Sequence, residues 1–93
     1  MSSAGQEYFD KGVEAYRAGQ FQDAATALSM GLKADQHAWS MRFYLAMCYT
    51  RLNQMQQAKQ EFLSIRDLCP DVELRKKATT ALAAMLGAAE ANY

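Results

Sequence analysis

Few residues of this 93-residue chain have the types that support catalysis or metal binding. His37 is the single histidine, and no other histidine or cysteine stands near it at the spacing of metal ligands. We interpret it as a solvated turn residue. The sequence has no glycine-rich phosphate loop, and no serine or cysteine has a recognisable base partner. It therefore predicts no metal, no cofactor and no enzyme.

The acids and thiols have simple interpretations as well. Glu7, Asp10 and Glu14 share one face of a predicted helix, and a charged helical face is usually just solvated. Cys48 and Cys69 fall on different predicted elements. We expect both to be reduced thiols in the core or at its boundary rather than a disulfide.

The overall charge narrows the classes of partner. Ten basic residues balance ten acidic ones, which is not typical of a nucleic-acid binder or a polybasic membrane-surface protein. No apolar run approaches the roughly 20 residues of a membrane span. The first residues, MSSAGQEYFDKG, lack the form of a signal peptide. We expect a cytoplasmic protein whose partners include neither nucleic acid nor a membrane.

The elements that would position these residues are helices. Val13, Ile65 and Val72 are the only valines and isoleucines, whereas alanine, leucine, methionine and glutamine are abundant. This composition favours an all-α fold. Like residues also recur 34 positions apart: Phe9 with Phe43, Arg17 with Arg51, and Ala24 with Ala58. A fixed period of this length indicates stacked helical hairpins.

Each repeat contains a break between two helices. Gly19 is suited to the left-handed conformation that ends a helix, and Asn53 is the next most tolerant residue at the equivalent place. Phe21 and Met55 are predicted to fill the corner between the helices. Ala24 and Ala58 are predicted to be small because the two helices approach most closely there. The second helix of repeat one is predicted to face inward with Ala24, Leu28, Met30 and Leu32, and its Gly31 is predicted to allow close contact with the next helix. The second helix of repeat two is predicted to face inward with Ala58, Phe62, Ile65 and Leu68.

The pattern resembles the tetratricopeptide repeat, a helix–turn–helix unit of 34 residues, over roughly residues 5–70. The matching positions are Gly12, Gly19, Phe21 and Ala24, then Ala46, Asn53, Met55 and Ala58, with Tyr49, Phe62 and Pro70. The first unit departs from the family in having Gln36 in place of the closing proline and Ala15 in place of an aromatic residue. The resemblance implies a right-handed stack of antiparallel helix hairpins, an α-solenoid.

Five helices are expected, over 4–17, 21–33, 38–51, 55–68 and from about Asp71 to Gly87. The corresponding organisation is a flexible N-terminus (1–4), repeat one (5–36), repeat two (37–70), a capping helix (71–87) and a frayed tail (88–93). The apolar stripe of the last helix, which includes Leu74 and Leu82, is expected to cover the flank of the array. If the tail were helical, its alanine-rich face would extend to a second chain.

The resemblance also implies a concave groove, lined by the first helix of each hairpin, that holds an extended peptide or a partner's helix. Carried over by residue, the groove comprises Phe9, Val13, Tyr16, Arg17, Phe43, Tyr44, Met47 and Arg51, with Lys77 and Ala81 from the last helix. Phe9, Val13 and Tyr16 are spaced four and three, which places them on one face. The alternative is that this apolar stripe is core, buried by the capping helix or the tail.

Arg17, Arg51 and Lys77 would form a basic rim for an acidic ligand residue or a terminal carboxylate, unless the arginines merely solvate the helix ends. Some family members clamp a terminal carboxylate with lysine and asparagine at the positions of Phe9, Val13 and Tyr44. The clamp is therefore not expected here. The hypothesis is a non-catalytic module that binds a protein or peptide partner. The alternatives are a homodimer or larger homo-oligomeric assembly adaptor, and a secretion-type chaperone.

Overall fold

The computed structural model describes residues 3–91, which form five helices and contain no strand. The helices are α1 (Ser3–Arg17), α2 (Phe21–Ala34), α3 (Trp39–Arg51), α4 (Met55–Leu68) and α5 (Val72–Ala91). Ser3 and Ala4 already belong to α1, and α5 continues past Gly87, where we expected its end. Met1, Ser2, Asn92 and Tyr93, on which part of the predicted flexible ends falls, lie outside the described residues.

The helices are stacked as antiparallel hairpins. Each helix packs on its neighbours in sequence, and α3 also contacts α1 and α5. The molecule measures 45 × 29 × 17 Å and is therefore a thin slab. The all-helical repeat architecture predicted from the sequence is confirmed.

The two tight turns share one backbone geometry. Gly19 (φ 79°) and Asn53 (φ 60°) both adopt the left-handed conformation. The next N–H in each turn reaches back five residues, from Gln20 to the Ala15 carbonyl oxygen (2.9 Å) and from Gln54 to that of Tyr49 (2.8 Å). These hydrogen bonds supply donors to carbonyl groups that would otherwise have no partner at the end of the helix. The predicted glycine and asparagine hinges are therefore confirmed.

The first core cluster lies between α1, α2 and α3. Ala24 and Leu28 of α2 and Met41 of α3 are completely buried in it. Gly12 of α1 lies so close that a Cβ atom added there would stand 2.5 Å from Leu28 Cγ. Gly31 of α2 would clash in the same way with the Met41 side chain. Small residues thus permit the close helix approach that the sequence predicted.

The second core cluster lies between α3, α4 and α5. Ala58 and Ile65 of α4 and Ala78 of α5 are completely buried there. Leu74 and Leu82 of α5 pack against the same cluster. The fifth helix therefore covers the flank of α4 with one apolar face.

Three residues that we expected to face inward are exposed: Met30 (41%), Met55 (42%) and Leu68 (69%). Met30 lies two residues after Leu28, which puts it on the other side of α2. Leu68 ends α4, and Cys69 takes the buried place beside it. Met55 differs from its counterpart Phe21, which packs on the ring of Tyr16.

The equivalent of Tyr16 in the second repeat is Thr50, whose hydroxyl donates a hydrogen bond to the Ala46 carbonyl oxygen (3.0 Å). Thr50 has no ring for the side chain at position 55 to contact. The corner-filling prediction therefore fails in the second hairpin.

Both cysteines of the chain are free and buried, as expected. Burial raises the pKa of the Cys48 thiol from 9.0 to about 11.

Arg42 of α3 donates hydrogen bonds to Glu61 of α4 (2.8 Å) and to the Gln36 carbonyl oxygen (3.1 Å). Arg42 thus ties the turn between the repeats to the second hairpin.

Candidate functional site

A shallow concavity of about 510 Å³ opens on α1 and α3. Its apolar surface comes from Phe9 and Val13 of α1 and Tyr44 of α3, all of which are half-buried. Asp10, Glu14 and Arg17 complete its lining. Four of the predicted site residues, Phe9, Val13, Arg17 and Tyr44, are therefore brought together in one place.

The floor of the concavity is held by a row of aromatic rings. The Tyr44 ring makes edge-to-face contacts with Phe9 (centroids 5.8 Å apart) and Tyr16 (5.7 Å). Tyr16 in turn contacts Phe21 at the start of α2, at 5.3 Å. Such pairs each contribute about 0.5–1.5 kcal/mol beyond area burial. The row joins three helices and positions the apolar surface before any ligand arrives.

Phe43 and Met47 do not line this concavity. The Phe43 ring contacts the ring of Phe62 on α4, with centroids 5.6 Å apart. Met47 packs against the second core cluster, and both side chains are half-buried. At these two positions the structure favours the core interpretation of the apolar stripe.

The predicted basic residues are dispersed. Arg17 lines the concavity, whereas the Arg51 guanidinium lies 5.8 Å from the centroid of the Phe21 ring. Lys77 is exposed on α5 and is not among the lining residues. Only one of the three basic side chains thus borders the apolar surface.

Asp10 and Glu14 were not predicted as site residues, because we interpreted them as a solvated face. They follow Phe9 and Val13 directly in the sequence, and this adjacency was the available signal. Asp10 accepts a hydrogen bond from the Gln6 side chain (2.9 Å). The edge of the concavity therefore carries two carboxylates beside one guanidinium.

Among residues 3–91, no group of three or more histidine, cysteine, aspartate or glutamate side chains is arranged to hold a metal ion. None of the helices in the same range has the length and apolar character to cross a membrane. His37 is exposed, and its ring centroid lies 6.2 Å from that of Trp39.

Two like hairpins, stacked with a concavity on their first helices, define a helical repeat protein. The family model described as "Tetratricopeptide repeat" matches residues 9–73, more than two thirds of the chain, and the protein belongs to this family. Such domains generally mediate protein–protein interactions and are typically non-catalytic. The searches of curated proteins and of solved structures gave no match.

Proposed function

We propose that this protein is a non-catalytic binding module, and that the concavity around Phe9, Val13 and Tyr44 holds a peptide segment or helix of a partner protein. The observation that carries the proposal is the half-exposed apolar floor, which three helices hold in place. An apolar side chain of the partner would displace water from this floor. Apolar burial of this kind is the main driving force of protein association.

The charges at the edge of the concavity indicate which charged residues of the partner lie beside that apolar side chain. Asp10 and Glu14 favour a lysine or arginine of the partner on their side, whereas Arg17 favours a carboxylate at the end of α1. Such pairs set orientation and partner choice more than affinity. The bound segment thus combines an apolar anchor with charges of both signs.

Tyr16 supports this site through its ring contact with Tyr44. Arg51 lies outside the lining, over the ring of Phe21, which in turn packs on Tyr16. Phe43 and Met47 are half-buried against the second core cluster and Lys77 is exposed on α5, so they would contact only a longer bound segment. A segment long enough to reach them would contact the whole row of first helices. The balanced charge of the chain favours a protein partner over nucleic acid. We propose that this binding takes place in the cytoplasm.

The experiment is selection of a phage-displayed library of random peptides on the purified protein. The selected peptides are then measured by fluorescence polarisation against two matched variants, Val13→Gln in the concavity and Val72→Gln on α5. Val13 is half-buried and Val72 is 50% exposed, so each substitution places the glutamine amide at a site that water already reaches.

We expect Val13→Gln to weaken binding about tenfold, equivalent to about 1.4 kcal/mol, and Val72→Gln to leave it unchanged. Equal effects of the two variants, or a library that yields no binding peptide, would contradict the proposal. Because the interface is small, the affinity of a selected peptide should be in the micromolar range.

A further inference from the structure

We infer that the partner segment held in the concavity presents an arginine, whose guanidinium group binds between Asp10 and Glu14. The inference rests on the proposed function and deepens it, because it names the residue by which the concavity selects a partner. Asp10 and Glu14 are exposed on α1, and both line the concavity. They are four residues apart, about 6 Å along the helix axis, so one guanidinium group is able to donate to both carboxylates.

No cation of the chain pairs with these two carboxylates. In the part of the chain that the structure describes, the ion pairs link residues of α3, α4 and α5, and none of them includes Asp10 or Glu14. The side-chain partner of Asp10 is the neutral amide of Gln6, at 2.9 Å. A segment that covers the concavity displaces water from both carboxylates, which is unfavourable unless the segment supplies a positive charge. The occupant therefore carries a basic residue at this point.

The aromatic rings of the concavity favour arginine over lysine at that point. The Phe9 and Tyr44 rings are inclined at 71° to each other, with centroids 5.8 Å apart. Over residues 3–91, Arg42 and Arg51 lie over other rings, and no guanidinium or ammonium group of the chain lies over these two. A guanidinium group is planar, stacks on aromatic faces and is more weakly hydrated than an ammonium group. It also donates in a fixed fork, whereas lysine offers a point charge.

The apolar lining accommodates the aliphatic stem of the arginine. Phe9 directly precedes Asp10, and Val13 directly precedes Glu14, so each carboxylate has an apolar side chain beside it. Long basic side chains commonly bury their methylene groups on apolar surface while the charged end stays with polar groups. One residue of the partner thus contacts both the apolar floor and the carboxylates.

Arg17 sets the position of the arginine along α1. It is seven residues from Asp10, about 10 Å along the helix axis at 1.5 Å per residue. Like charges repel, so the partner's arginine lies toward Asp10 and away from Arg17. A carboxylate of the partner is favoured at the Arg17 end of the same concavity.

The experiment uses the peptides that the wild-type protein selects from the phage-displayed random library. Arginine should be enriched at one aligned position of these peptides. Versions with lysine or glutamine at that position are measured by fluorescence polarisation against the wild type, Glu14→Gln and Glu7→Gln. Glu7→Gln is the matched control, because Glu7 is also an exposed glutamate of α1 but does not line the concavity. The two protein variants therefore change the net charge equally.

On the wild type, we expect glutamine in place of arginine to weaken binding about tenfold, and lysine to weaken it about threefold. On Glu14→Gln, the loss caused by glutamine should shrink to about threefold, because Asp10 still pairs with the arginine. On the double variant Asp10→Asn/Glu14→Gln, arginine and glutamine peptides should bind equally. Glu7→Gln should retain the full difference between them.

Two results overturn this inference and leave the proposed function standing. The first is a set of peptides that depend on Val13 but show no preference for arginine over lysine or glutamine. The second is an equal effect of Glu14→Gln and Glu7→Gln, which would reflect net charge rather than a contact. A library that yields no binding peptide would contradict both proposals.

Discussion

Replacing Gly12 with alanine tests the close contact between α1 and α2. Alanine is favoured over glycine in a helix interior by about 1 kcal/mol, so secondary structure alone predicts a more stable protein. The packing opposes this gain, because the new Cβ atom would stand 2.5 Å from both Cγ and Cδ2 of Leu28. Leu28 is completely buried, so its branch point has no free space into which to move.

Overpacking of this kind costs about 1–3 kcal/mol and a clash at a branch point belongs in the upper part of that range. The expected net result for Gly12→Ala is a loss of about 1–2 kcal/mol in the free energy of unfolding. For a domain of this size, that lowers Tm by about 4–16 °C. The assay is urea unfolding followed by circular dichroism, together with a thermal melt.

Gly87→Ala is the matched control. Gly87 is also helical, but a Cβ atom added there meets no atom within 4 Å, so this variant should gain up to about 1 kcal/mol. Leu28→Ala completes a double-mutant cycle with Gly12→Ala. The two losses should be less than additive by about 0.5–3 kcal/mol, because each substitution relieves the other. A Gly12→Ala protein at least as stable as the wild type, or strict additivity in the cycle, would refute the reasoning.

Three further predictions follow from the packing. Ala24→Glu and Ala58→Glu each bury a carboxylate where the side chain is completely enclosed, and should abolish the cooperative thermal melt seen by circular dichroism; a wild-type melting curve would contradict the helix register. Phe43→Ala should lower the free energy of unfolding by about 2 kcal/mol because its ring packs on Phe62, whereas a groove residue without core contacts would leave urea unfolding unchanged. The pKa of the Cys48 thiol is raised from 9.0 to about 11, so the folded state keeps its proton where the unfolded state has lost it, and stability should fall as pH rises from 9 to 11. Urea unfolding of the wild type and of Cys48→Ala at pH 8 and pH 10.5 isolates this effect, and an identical pH dependence in the two proteins would argue against it.

The architecture was predictable because backbone requirements recur at a fixed spacing. Gly19 and Asn53 stand 34 residues apart at left-handed turns, and Ala24 and Ala58 are buried at the same interval. The exposure of Leu68 was not predictable from periodicity. It is three residues after the buried Ile65, on the same side of the helix, but α4 ends there and the chain turns away.

The site was predicted less completely than the fold. Helical spacing placed Phe9 and Val13 on one face, and both line the concavity. The same spacing predicted that Phe43 lines the groove, but its ring contacts the ring of Phe62 instead. Periodicity assigns a face to a side chain but does not say which neighbouring helix covers that face. That depends on the position of α4, which only the assembled structure gives.

The first core cluster crosses the boundary between the repeats. Leu28 and Leu32 of the first repeat are covered by Met41 and Leu45, which belong to the second. A fragment that stopped at residue 36 would expose to water the side of those leucines that α3 covers, so a single 34-residue unit is not a unit of folding. When a hairpin is added to such an array or removed from it, the first helix of each hairpin must still pack on the second helix of the hairpin before it. The seam between α2 and α3, rather than the turn inside a hairpin, therefore decides which repeats are interchangeable.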